Sequence, residues 1–308
     1  LPLVAPTLAL VLASAFTYAW RWREEHAQRR FVHDAVAKYV APAIVEHMVE
    51  APERLRLGGE RRDLTFLFSD LADYTTLSET TEPAVLVSTM NEYLDGACEI
   101  ILDHGGTIDK IVGDALHVMF NAPLEQPDHP ERAVGCALAL DRFCQDFARR
   151  QRERGIALGM TRIGINTGVA VVGNFGGEKR FDYTATGDAI NTAARLESVN
   201  KHLGTRVCVS AGTVERCAGT EFRPIGELVL KGKSEGVMVY EPAGQRGDGR
   251  AALDEYLAAY RLMSDGDARA ADAFRDLAER HPQDPLADFH ARRLAAGESG
   301  SRIVMKEK

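Results

Sequence analysis

The chain has 308 residues, 45% hydrophobic and 27% charged, with a formal net charge of -8. That length suits about two domains, and the composition excludes a mostly disordered chain. The acidic balance argues against a general nucleic-acid surface, so any phosphate must be met locally.

Leu1 is not a methionine, and the chain reads as a fragment or a processed product. Residues 1–20 carry no charge, and that length predicts a transmembrane helix. Arg21, Arg23, Arg29 and Arg30 follow it and mark the cytoplasmic side, with Tyr18, Trp20 and Trp22 at headgroup level. Charges after the apolar run, rather than before it, argue against a signal peptide. The expectation is an inner-membrane anchor with everything beyond it cytoplasmic. Residues 21–57 follow the anchor as a helical connector, suited to pairing with its copy or to lying solvated. The five cysteines, Cys98, Cys136, Cys144, Cys208 and Cys217, show neither CxxC pairs nor zinc spacing, as in reduced thiols of a cytosolic compartment.

From residue 58 to 243 the pattern alternates. A strand is expected over 63–69, a helix over 84–104, a hairpin through TIDKIVGDALHVMFN, and a helix over 131–155. Strands over 158–166 and 169–173, a helix over 188–201, and strands over 206–210 and 237–241 complete it. Such alternation predicts an α+β domain of ferredoxin-like βαββαβ order, with helices covering one face of a mainly antiparallel sheet. Residues 244–250 read as a Gly-rich linker. Residues 251–294 read as a small helical hairpin resembling one tetratricopeptide unit, closed by Pro282 and Pro285, and 295–308 as a tail. One unit cannot bury its own face, so it must pack on the main domain or on a partner.

Two acidic residues stand where strands end: Asp70 after FLFS, and Asp114 in the turn of IVGDAL. Adjacent strand ends can bring two carboxylates together to hold a pair of divalent cations, and magnesium suits a site with few carboxylates that leaves room for water and phosphate. Beyond Asp70, Tyr74 and Thr75 open a helix whose first N–H groups can receive phosphate. Asn191 and Arg195, four apart on one helix face, offer an amide and a guanidinium to phosphate oxygens or to charge developing during transfer.

FLFSDLADYTTLSE, DKIVGDALHVMFNAP, RIGINTGVAVVGNFG, DYTATGDAINTAARLE and LKGKSEGVMVYE occur in the order and spacing of the class III adenylyl and guanylyl cyclase catalytic domain, which the chain resembles over about residues 58–243. The resemblance implies that Asp70 and Asp114 bind two divalent cations, Mg²⁺ or Mn²⁺, with the Leu71 carbonyl helping. It implies Lys110 and Thr184 as base readers, Asn191 and Arg195 as the transition-state pair, and Lys231 as the phosphate-binding lysine, with Lys233 close by. It also implies shared active sites in a homodimer, metals held by one copy and the remaining residues supplied by the other. The span, connector and cyclase order resembles bacterial CHASE2-type cyclases, whose extracytoplasmic sensor would precede Leu1.

Lysine offers only donors, suited to adenine N1, and a threonine hydroxyl can accept from the adenine amino group. Guanine would call for a carboxylate and a small residue at those positions. ATP is therefore the expected substrate, giving cyclic AMP and pyrophosphate. A guanylyl or dual-specificity cyclase and a silent dimerising module are the competing readings. Asp73 departs from the family pattern and adds a carboxylate near the phosphate pocket, expected to point to solvent.

Overall fold

The computed structural model describes residues 16–18, 20–23, 44, 57–177, 180–229, 235–243 and 249–305. The expected membrane helix and connector fall almost wholly outside them. Among the described residues no helix is long and apolar enough to cross a membrane, and Phe16, Tyr18, Trp20 and Trp22 are helical and exposed. The chain divides into two compact units, Leu1–Leu55 and Arg56–Lys308.

The second unit runs β1 (Gly58–Leu71), α1 (Tyr74–Thr80), α2 (Pro83–Asp103), β2 (Thr107–Val112), β3 (Ala115–Phe120), α3 (His129–Glu153), β4 (Thr161–Gly177), β5 (Arg180–Thr186), α4 (Asp188–Leu203), β6 (Val207–Ser210) and α5 (Ala211–Val214). It continues through β7 (Phe222–Val229), β8 (Val237–Pro242), α6 (Leu253–Ser264), α7 (Ala270–Arg280), α8 (Pro285–Ala295) and β9 (Arg302–Val304). One sheet orders the strands β2-β3-β1-β4-β6-β8-β7-β9, with β5 folded back on β4. Among the described residues only the β4–β6 and β7–β9 pairs are parallel. Within it β1, α2, β2, β3, α3 and β4 make the expected βαββαβ unit, and the fold is a mixed α+β sandwich.

Alternation along the strands fixes both faces, since successive side chains point to opposite sides. Leu67, Val118, Ile163 and Ile165 turn towards Tyr93, Ala97, Leu140 and Phe147 of α2 and α3. Phe66, Met119, Ala170 and Val172 on the same strands turn the other way, onto Ala189 and Ala193 of α4. Helices therefore lie on both faces, not one as expected, because both sets of strand residues are apolar and each must be buried. Gly164 sets how closely α4 approaches: a Cβ there would fall 2.1 Å from Glu197 N and 2.3 Å from Ala193 O.

Other expectations need correcting. The two strands expected over 158–166 and 169–173 are the single strand β4, whose Thr167 and Gly168 stay in register with Thr65 and Leu64 of β1. β5 and β7 were not expected; Pro224 and Gly226 disguise β7, and they flank a register shift in its pairing with β8. The C-terminal hairpin gains a third helix, because Pro285 opens α8 rather than closing α7, with Asp284 accepting from the N–H groups of Leu286 and Ala287. Within the expected tail, Arg302–Val304 adds to the sheet beside β7. Tyr256, Ala259, Phe274 and Leu286 share one apolar core with Ile225, Leu228 and Val239 of the sheet and with Leu196 of α4.

Candidate active site

The β1 end and the β2–β3 turn bring Asp70 and Asp114 together. Gly113 makes the turn: its φ of +66° suits the first central position of a two-residue hairpin loop, where glycine is favoured. The turn presses Asp114 inward until it is 7% exposed, and its Oδ2 accepts from the Leu71 N–H at 2.9 Å. Asp70 is hydrogen-bonded to Asp114, and its carboxyl is pushed up to about 6, first by burial, then by the charge and hydrogen bond of Asp114, against the pull of Arg162. Like charges held this close make one carboxylate keep its proton to higher pH than a free carboxyl would.

Two charged residues not singled out from the sequence stand beside this pair. Arg162 sits across from Asp70 in the β1–β4 ladder. Glu197 on α4 is raised to about 7 by burial and then by Asp70. Arg162 has a faint sequence signal, a cation opening an otherwise apolar strand; Glu197 has none, because only the close α4 packing brings it there.

The donor set is oxygen throughout, two carboxylates with the Leu71 carbonyl adjacent in sequence. Among the described residues no group of three or more His, Cys, Asp or Glu forms a metal cluster. Two carboxylates without a closed cage fit a hard divalent cation that fills its coordination with water and phosphate oxygens, and do not fit a structural zinc site.

A second group lies along β2, β5 and α4. Lys110 is exposed on β2 opposite His117. Thr184 lies on β5 opposite Gly173, half-buried. Asn191 is exposed on α4, and one turn on, Arg195 is half-buried, its Nη1 shielded from water without a hydrogen-bond partner. An unsatisfied guanidinium nitrogen is costly unless it meets an acceptor. Asn191 and Arg195 share no hydrogen bond or ion pair with Asp70 or Asp114 among the described residues. Tyr74 and Thr75 open α1 as expected, next to Asp73 at φ +59°, whose side chain is exposed. Lys231 and Lys233 lie outside the described residues.

Residues 59–241 match the adenylate and guanylate cyclase catalytic domain, and the chain belongs to that family. Enzymes of this class use divalent metal ions, in keeping with the oxygen-only donor set. Among individual relatives, the chain is 39% identical to adenylate cyclase 1 of Rhizobium meliloti over 209 residues, 68% of this chain and 31% of that protein. It thus spans about a third of that relative's length. Among solved structures it resembles the adenylyl cyclase CyaB from P. aeruginosa at 35% identity and a TM-score of 0.57, over 62% of this chain and 99% of that one. The guanylyl cyclase Cya2 is nearly as similar, at 32% identity and a TM-score of 0.54, over 64% of this chain and all of the other. Overall likeness therefore does not choose the base.

Proposed function

We propose that the protein is an adenylate cyclase, converting ATP to 3′,5′-cyclic AMP and pyrophosphate with two divalent cations, Mg²⁺ or Mn²⁺, at sites shared between two copies. The observation that carries this reading is the Asp70–Asp114 pair, only partly offset by Arg162, a site that attracts cations and leaves most of their coordination to substrate. Metal ions held there would lower the pKa of the ribose 3′-hydroxyl and offset charge on the phosphates. The Leu71 N–H fixes the Asp114 carboxylate, and Arg162 adds a positive charge beside the pair.

In this reading the 3′-oxygen forms its bond to the α-phosphorus as the bond to the β-phosphate oxygen breaks; pyrophosphate leaves, and the hydroxyl proton passes to solvent. The bared Arg195 nitrogen, with Asn191 beside it, stabilises the charge that develops during transfer, and Lys231 holds phosphate. Lys110 donates to adenine N1, and Thr184 accepts from the 6-amino group. Among the described residues Arg195 and Asn191 share no hydrogen bond or ion pair with the carboxylate pair of their own chain, and in this reading a second copy supplies them. A symmetric homodimer then has two complete sites, since every required residue type is present in one chain.

The uncharged run 1–20 and the arginines after it support attachment to the inner membrane with a cytoplasmic catalytic domain. An extracytoplasmic sensor before that span would act through the connector on how the two domains meet, as in CHASE2-type cyclases.

The test is product formation by the purified chain from ATP or GTP with Mg²⁺ or Mn²⁺, resolved by chromatography. Cyclic AMP from ATP with little from GTP is expected. Cyclic GMP as main product would overturn the base assignment, and no product at high protein concentration would favour the silent-module reading.

A further inference from the structure

Two buried asparagines tie α4 to the strand beneath it. Asn166 of β4, 8% exposed, donates from Nδ2 to the Ala189 carbonyl in the first turn of α4 at 2.9 Å. Asn200 in the last turn, 1% exposed, donates from Nδ2 to the Ile163 carbonyl at 3.0 Å, on the chain entering β4's core, and shares its two hydrogens with the carbonyls of Leu196 and Glu197 in its own helix. The Asn200 Oδ1 is held in turn by the Thr205 hydroxyl at 2.8 Å and the Cys208 thiol at 3.2 Å. Asn191 and Arg195 lie on the stretch of α4 between these two ties.

The surface between the ties is smooth. Gly164 and Gly168 of β4 face Ala193 and Ala189 of α4, and a Cβ on Gly168 would stand 3.1 Å from the Ala189 methyl. Residues this small bring helix and strand close, but they raise no ridge to lodge in a groove and so resist sliding weakly. Hydrogen bonds have a set length and direction, and one near each end fixes both the shift of α4 along the strand and its rotation. From this geometry we propose that Asn166 and Asn200 are positioning residues for the reaction, holding α4 in register on β4 so that Asn191 and Arg195 meet the transferring phosphorus. Both act through the helix rather than on the substrate. A displacement of about 1 Å in a catalytic group can cost about a hundredfold in rate. Asn191 and Arg195 are assigned to charge that develops only during transfer, so a slipped α4 should lower kcat and leave KM for ATP nearly as it was.

The inference rests on the transition-state role and the shared site given above, and the experiment separates its failure from theirs. In a mixed dimer of an Asp114→Asn chain with an Arg195→Ala chain, the surviving site takes its carboxylates from the Arg195→Ala chain and its α4 residues from the Asp114→Asn chain. Asn166→Ala is added to one chain or to the other, and kcat and KM for ATP are measured per mixed dimer. On the Asp114→Asn chain, which lends α4, it should lower kcat at least about fivefold more than on the Arg195→Ala chain, with KM changed by no more than about twofold. Asn200→Ala should show the same bias. Each mixed dimer carries the substitution once in either arrangement, so partial loss of folded protein cancels. An equal fall in the two arrangements would make the asparagines supports of the fold alone, and no fall in either would mean that α4 keeps its place without them. Both results overturn the inference while the parent pair still shows the shared site. Full activity of the Arg195→Ala chain alone, or no activity from the parent pair with mixed dimers shown to form, fails the site reading, and the inference with it.

Discussion

The molecule gathers carboxylates in two places and treats them in opposite ways. Between the C-terminal helices and the sheet, Asp284 and Glu241 close on the guanidinium of Arg223, which is 1% exposed and lies over the Tyr256 ring at 4.7 Å. Arg250 also pairs with Glu241, at 3.1 Å. Burial alone would raise Asp284, but the hydrogen bond and charge of Arg223 overcome it and hold the carboxyl below its ordinary value. At the strand ends, Asp70 faces Asp114 with Glu197 nearby and Arg162 the one cation among its resolved influences, and Asp70 is raised. Carboxylates whose charge is compensated within the fold hold structure together. Those left uncompensated wait for something else to bind.

The contrast can be broken most directly at Asp114. Asp114→Asn keeps an acceptor for the Leu71 N–H and removes one charge, so cyclase activity should fall about a thousandfold, or roughly 4 kcal/mol of transition-state stabilisation. Thermal melting should not fall. Full metal-dependent activity in this variant would remove Asp114 from the site.

Arg223→Ala should do the reverse. It leaves Asp284 and Glu241 buried without their shared cation, a change worth about 3–5 kcal/mol of stability, read as a lower midpoint in urea unfolding. Activity per folded molecule should change far less than in Asp114→Asn. An unchanged midpoint would mean that the ion cluster does not lock the C-terminal helices to the sheet.

The two sites should also respond to pH with opposite sign. Asp284 is depressed when folded, so its contribution is full above the ordinary carboxylate range and is lost as pH falls through its folded value. Asp70 is raised to about 6, so its contribution is present below about pH 4 and is lost as pH rises through 6. Asp70→Asn should therefore stabilise the metal-free protein at pH 7, by on the order of 1 kcal/mol after solvent screening, seen as a small rise in melting temperature absent at pH 4. The same protonation means metal affinity should weaken below pH 6. A melting temperature equally shifted at both pH values would contradict the raised Asp70.

How much of this the sequence shows depends on range. Asp70, Asp114 and the βαββαβ order are legible because turn chemistry and apolar alternation act over a few residues. Arg162 and Glu197 are not, because one depends on the β1–β4 register and the other on how closely Gly164 lets α4 approach. The Arg223–Asp284 contact spans 61 residues and β9 pairs with the distant β7; no local pattern announces either, so residues 295–308 read as a tail although three of them form a strand.

The central claim is that Asp114 of one copy works with Arg195 of another. It is tested most directly by mixing Asp114→Asn chains with Arg195→Ala chains, each inactive alone, and measuring cyclic AMP formation. Half the dimers from equal mixing are mixed, and each has one intact site of two, so about a quarter of wild-type activity should return. No recovery, with mixed dimers shown to form, would contradict a site shared between copies.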